Sequence, residues 1–120
     1  MINMYSQDNV VYTLAQDKLD DKDYDKMLPY LKEKIKKYYK INWYFEMANF
    51  DGWTLSALWR DAKFDLKNKN HIDKVAMVGS KSWEKWMTKM MKPLTDTEIK
   101  FFELEEKDKA TKWIEGELII

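Results

Sequence analysis

Cysteine is absent from this chain of 120 residues, which excludes a disulfide framework, a thiolate zinc site, an iron–sulfur cluster and a cysteine nucleophile. Nothing in the sequence points to an oxidising compartment, so a cytoplasmic location is expected. Histidine is nearly absent too. The one residue, His71, lies between Asn70 and Asp73 with no histidine or cysteine neighbour, and a surface-loop role is expected of it rather than metal binding or base catalysis. Excess charge is also missing: Lys plus Arg and Asp plus Glu both number 21, which removes the overall attraction that draws a protein to nucleic acid. No apolar run approaches the ~18 residues of a membrane span, and polar residues interrupt Met1 to Val10 where an export signal would be apolar. With only Gly52, Gly79, Gly116, Pro29 and Pro93 as backbone punctuation, no linker is visible, and a single domain over residues 1–120 is expected.

What is present is patterned. Val10 to Gln16 reads as a strand, and Ile2 to Tyr5 as a shorter one joined to it through a turn at Gln7, Asp8 and Asn9. Tyr24, Met27, Leu28, Leu31, Ile35 and Tyr38 recur at helical spacing from Asp21 to about Tyr39, with Pro29 expected to kink or restart the helix. Ile41, Trp43, Phe45 and Met47 alternate with Asn42, Tyr44, Glu46 and Ala48, which predicts a strand with one apolar face and one polar face. Asp51 and Gly52 then read as a turn and Thr54 as the cap of a second helix carrying Leu55, Leu58, Trp59, Ala62 and Leu66.

Val75 to Val78, closed by Gly79, has the continuous apolar character of a central parallel strand. A third helix follows, with Trp83, Trp86, Met87, Met90 and Leu94 on one side, then a strand over Ile99 to Leu104. A last helix, Glu105 to about Glu115, turns Ala110, Trp113 and Ile114 inward. This ββαβαβαβα order predicts an α/β fold with a mostly parallel five-stranded sheet. Because Asn42, Tyr44 and Glu46 share one side of a strand, the four helices are expected mainly on the other face.

The segment Asn49-Phe50-Asp51-Gly52-Trp53-Thr54, the Ala57-Leu58-Trp59 after it, and the later Val75-Ala76-Met77-Val78-Gly79 with Trp83-Glu84-Lys85-Trp86 resemble the SpoIIAA-like family. The resemblance covers nearly the whole chain and matches a small stand-alone bacterial member. It implies a βα-superhelix, STAS-related and distantly akin to the CRAL-TRIO lipid-binding domains, whose N-terminal edge strand is antiparallel to the rest. In anti-sigma-factor antagonists of this kind, the loop before the second helix reads Asp-Ser-Ser-Gly and carries a phosphorylated serine. Here it reads Asp51-Gly52-Trp53-Thr54, so the switch serine is missing. Thr54 and Ser56 are displaced hydroxyls for which capping is the simpler role.

No residue set supports catalysis, and no cofactor or metal is expected. Asp61 and Asp65 stand one helical turn apart, but Lys63, Lys67 and Lys69 interleave with them as on a solvated helix face. Gly79-Ser80-Lys81-Ser82 brings backbone amides, a helix start and a lysine together without the spacing of a phosphate-binding loop. In open α/β sheets ligands gather at the carboxyl ends of the strands, where Asp51, Gly52, Trp53, Thr54, Lys81 and Trp83 are the expected binding residues. The function expected is a non-enzymatic binding or regulatory module taking a small anionic or apolar ligand, or a protein partner, with neither nucleic acid nor a transmembrane segment involved. The alternative is a carrier of a lipid or other apolar molecule, and an exposed aromatic face would also suit a homodimer.

Overall fold

In the computed structural model, residues 1–53, 60, 63–64, 67–80 and 98–116 are described, those at 50–53 and 69 by their backbone alone. Five strands form one sheet in the order β1-β2-β3-β4-β5, so that every strand lies beside its neighbour in sequence. They are β1 (Ile2–Gln7), β2 (Val10–Leu19), β3 (Ile41–Trp53), β4 (Ile72–Gly79) and β5 (Glu98–Glu103). β1 runs antiparallel to β2, and the remaining pairs are parallel. The expected N-terminal edge hairpin is therefore present. It turns through Asp8 and Asn9, with Asp8 at φ 52° in the left-handed region that a short Asx side chain tolerates.

Helix α1 (Asp21–Tyr38) starts at a reciprocal cap, in which Asp20 accepts from the Asp23 amide and Asp23 accepts from the Asp20 amide. That hydrogen bond from the Asp23 amide is the main reason the Asp20 carboxyl is held below its ordinary range. α1 runs through Pro29 as one helix rather than restarting there. The missing N–H removes one intrahelical bond, but Tyr24, Met27, Leu28, Leu31 and Ile35 keep the stripe buried on both sides of the proline. Each such side chain contributes roughly 1.5–3 kcal/mol on full burial, enough to outweigh the lost bond.

Helices lie on both faces of the sheet, α1 and the helical residue Phe64 on one and the C-terminal helix on the other. Val11, Ala15, Ile41, Trp43, Phe45, Met47, Val75 and Met77 pack beneath α1 together with Phe64. Val10, Tyr12, Tyr44, Ala76, Val78 and Phe102 pack beneath the C-terminal helix α2 (Lys107–Ile114), through Ala110, Trp113 and Ile114. The inner strands carry apolar residues on both sides, so one layer of helices leaves half of them in water. Of the four helices expected, α1 and α2 have their bounds among the described residues. The second is represented by helical residues at 60, 63–64 and 67–68, and the third lies outside the described residues.

Candidate functional site

Of the six residues expected to form a site, three are described by their backbone and three lie outside the described residues. Asp51, Gly52 and Trp53 are the last three residues of β3 rather than a turn, with Gly52 paired to Lys18 and Trp53 to Leu19. The cause is that β2 runs on to Leu19 and keeps a pairing partner available. The register shifts around Asp17, and both Asp17 (φ 56°) and Asn49 (φ 52°) take left-handed conformations, as at bulges that bend two strands together. Thr54, Lys81 and Trp83 lie outside the described residues, as do Ser56, Trp59, Asp61, Asp65 and Trp86. Ser80, next to Gly79 at the end of β4, is exposed.

His71 closes a single 3₁₀ turn, Lys69–His71, and its Nδ1 sits 2.8 Å from the carbonyl oxygen of Tyr39, with the two rings edge to face at 4.8 Å. It thus stands at a helix-to-strand junction, tied to the end of α1. Among the described residues no group of three His, Cys, Asp or Glu is placed to hold a metal ion, and no helix is long and apolar enough to cross a membrane.

Among the described residues two concave regions stand out. The first is a groove of ≈ 270 Å³ between α1 and the helical residues at 60–68, lined by Leu28, Lys32, Arg60, Lys63, Phe64, Lys67 and Asn68. Leu28 and Phe64 are buried and form an apolar floor. Lys32, Lys63 and Lys67 are exposed at the rim. Arg60 anchors one end, donating to the Asp21 carbonyl oxygen at 3.0 Å and pairing with the Asp25 carboxylate at 2.7 Å. Asn68 donates to the Phe64 carbonyl at 2.9 Å, tying the far end of the wall to its own preceding turn. The pattern of Lys63, Phe64 and Lys67 is visible in the sequence, but only the packing against α1 turns it into a concave surface.

The second region lies on the α2 face. Tyr5 stacks on Tyr12 with ring centroids 4.7 Å apart and planes 8° apart, and Tyr44 tilts against Tyr12 at 5.6 Å. The Tyr12 hydroxyl donates to Glu115 Oε2, and the Tyr44 hydroxyl donates to Glu46 Oε1 at 2.6 Å. Burial, then the Glu46 hydrogen bond and charge, pushes the Tyr44 phenol far above its ordinary value. Burial raises Tyr5 as well, assisted by the charges of Glu46 and Glu115. A cavity of ≈ 230 Å³ opens beside this cluster, lined by Gln7, Asp8, Asn9, Val10, Tyr12 and Glu115. Its sequence signal was the polar side of β3, where Asn42, Tyr44 and Glu46 alternate with the apolar set.

Comparison with known proteins agrees with this architecture. The model of the SpoIIAA-like family matches residues 10–115. A solved structure of an uncharacterized protein from the DUF3478 family with a SpoIIAA-like fold, from Shewanella loihica PV-4, superposes with a TM-score of 0.76 at 28% sequence identity. The match covers 95% of this chain and 92% of that one. No functionally curated protein matches the chain.

Proposed function

The chain belongs to the SpoIIAA-like family, and on that premise we propose that it is a non-enzymatic binding module whose ligand, a small amphipathic anion, lies in the groove between α1 and residues 60–68. The observation that carries this reading is the buried Leu28–Phe64 floor beneath a rim of Lys32, Lys63 and Lys67. An apolar floor favours a hydrocarbon tail, and a cationic rim favours a carboxylate or phosphate head; neither alone would select a ligand. The groove, which is open to solvent, supports reversible capture over the closed burial that a carrier of apolar cargo needs. The Asp51–Trp53 end of β3 lies at the carboxyl edge of the sheet, so a partner responding to occupancy would meet the protein there.

Titration with decanoate, decanol and inorganic phosphate, followed by amide chemical shifts, tests the reading. Decanoate is expected to bind with shifts centred on Leu28, Phe64 and Asn68, decanol and phosphate more weakly. Lys32→Glu with Lys63→Glu is expected to weaken decanoate about tenfold, equivalent to ~1.4 kcal/mol. Equal binding of decanol and decanoate would remove the anionic head from the proposal, and no binding of either would remove the groove.

A further inference from the structure

The sheet ends in β1 on one side and β5 on the other. β5 spreads Glu98, Lys100 and Glu103 along its length, the kind of charge that ordinarily keeps an edge strand from pairing with another chain. β1 has neither a charged residue nor a proline, and its register with β2 runs from Ile2 to Gln7 without a bulge. It is a neutral, uninterrupted edge that a further strand can extend.

The ladder to β2 fixes which groups such a strand meets. Met1 and Gln16 exchange both of their hydrogen bonds, at 3.0 and 2.9 Å, and an antiparallel pair alternates from there. Asn3, Tyr5 and Gln7 therefore bond to β2, while Ile2, Met4 and Ser6 turn their N–H and C=O groups outward. The Ile2 carbonyl is indeed reached from α1, by Lys26 Nζ at 3.4 Å. Ile2 and Met4 pack their side chains into the core under α1, and the Ser6 hydroxyl accepts from Tyr30 at 2.9 Å. What β1 offers a partner is thus its backbone. On the opposite face Tyr5 is stacked on Tyr12 yet 53% exposed, and a strand beyond β1 covers its outer flank.

Charge selects the occupant. Lys26 is exposed at the Ile2 end of the edge, where Asp23 is already engaged by the Met1 ammonium at 3.5 Å, and Asp8 is exposed at the Gln7 end. A second β1 laid antiparallel brings each Lys26 beside the partner's Asp8, whereas a parallel one sets like charge beside like. We infer that β1 is a self-pairing edge, at which two copies of this chain join antiparallel about a twofold axis at Met4 and merge their five-stranded sheets into one. In that register Ile2 meets the partner's Ser6, and Asn3 lies beside the partner's Tyr5. A ladder this short buries less than a permanent interface does, so the dimer is concentration-dependent.

Sedimentation equilibrium of the whole chain, carried up to about 1 mM, is expected to show monomer and dimer in exchange. Asn3→Lys with Tyr5→Lys sets like charges opposite one another across the seam and is expected to raise the dissociation constant at least tenfold. Asn3→Lys alone, at an exposed position, is expected to raise it several-fold and keeps the test informative if loss of the Tyr5–Tyr12 stack loosens β1. Asp8→Asn is expected to weaken the dimer several-fold in the parent and to have no effect in Lys26→Gln, because the two charges act as one pair. A chain still monomeric at about 1 mM would leave the edge to a strand of another protein and overturn the inference. A dimer unmoved by both lysine variants would overturn it as well. Neither result bears on decanoate binding at the groove, so the two proposals fail separately.

Discussion

The sheet face under α1 is covered by Leu31, Met27 and Tyr24 packed on Trp43, Phe45 and Met77, whereas the face under α2 meets Tyr12, Tyr44, Glu46 and Asn42. On the first, Thr13 is fully buried and its hydroxyl accepts from the Trp43 indole at 3.0 Å. On the second, phenols, carboxylates and a carboxamide are threaded through the apolar residues. Stability on the α1 face thus depends on filled volume, and on the α2 face on whether each hydroxyl keeps its acceptor.

The largest effect that sharpens this contrast is expected from Leu31→Ala, which empties a fully buried site on the α1 face. It should cost about 3 kcal/mol in denaturant unfolding, as large-to-small core changes do, with little dependence on pH. A cost under 1 kcal/mol would mean that α1 collapses onto the sheet and that the filled-volume description is wrong.

Tyr44→Phe on the opposite face should cost about 1 kcal/mol at neutral pH, because it removes one hydrogen bond to Glu46. Its informative property is the pH dependence. In the folded chain the Tyr44 phenol is held well above its ordinary value of 10.0, so the unfolded state releases this proton first as pH rises. Stability from this group is complete below about pH 10 and falls above it until the folded phenol ionises. Unfolding at pH 8 and pH 11 should show a shallower alkaline loss in Tyr44→Phe than in the parent, with Tyr5 supplying part of what remains. Parallel losses in the two proteins would contradict the assignment.

The smallest effect is expected from Gly79→Ala, back on the α1 side, where a new Cβ would meet Met47 Cε at 3.1 Å. Because that atom ends a flexible side chain, Met47 can yield, and reduced freedom of the unfolded chain offsets the crowding. The change in stability should stay within about 1 kcal/mol, measured by the same unfolding curves.

Periodicity made much of this legible from residues alone. The alternation of Ile41, Trp43, Phe45 and Met47 and the stripe of Tyr24, Met27, Leu28, Leu31 and Ile35 each place the right residues inside. The Asp51-Gly52 pair misleads because its local turn preference is overridden by strand pairing of Gly52 with Lys18 and of Trp53 with Leu19, residues more than thirty positions away. The cover on the α2 face was hidden for another reason. Tyrosine is as comfortable at a surface as in a core, and Tyr12 and Tyr44 are buried here with their hydroxyls donating hydrogen bonds to Glu115 and Glu46. The groove beside Phe64 is formed between two helical stretches, a relation that no single-segment pattern encodes.

Because spatial order in the sheet repeats chain order from β1 to β5, no strand has to wait for a later segment to insert between itself and its predecessor. A chain emerging from the ribosome can therefore close the β1–β2 hairpin first and add each following strand to the growing edge as it appears. The α2 face completes last, when Ala110, Trp113 and Ile114 arrive, so a nascent chain stalled before Lys107 would display Tyr12, Tyr44 and Phe102 to chaperones while the α1 side is already closed.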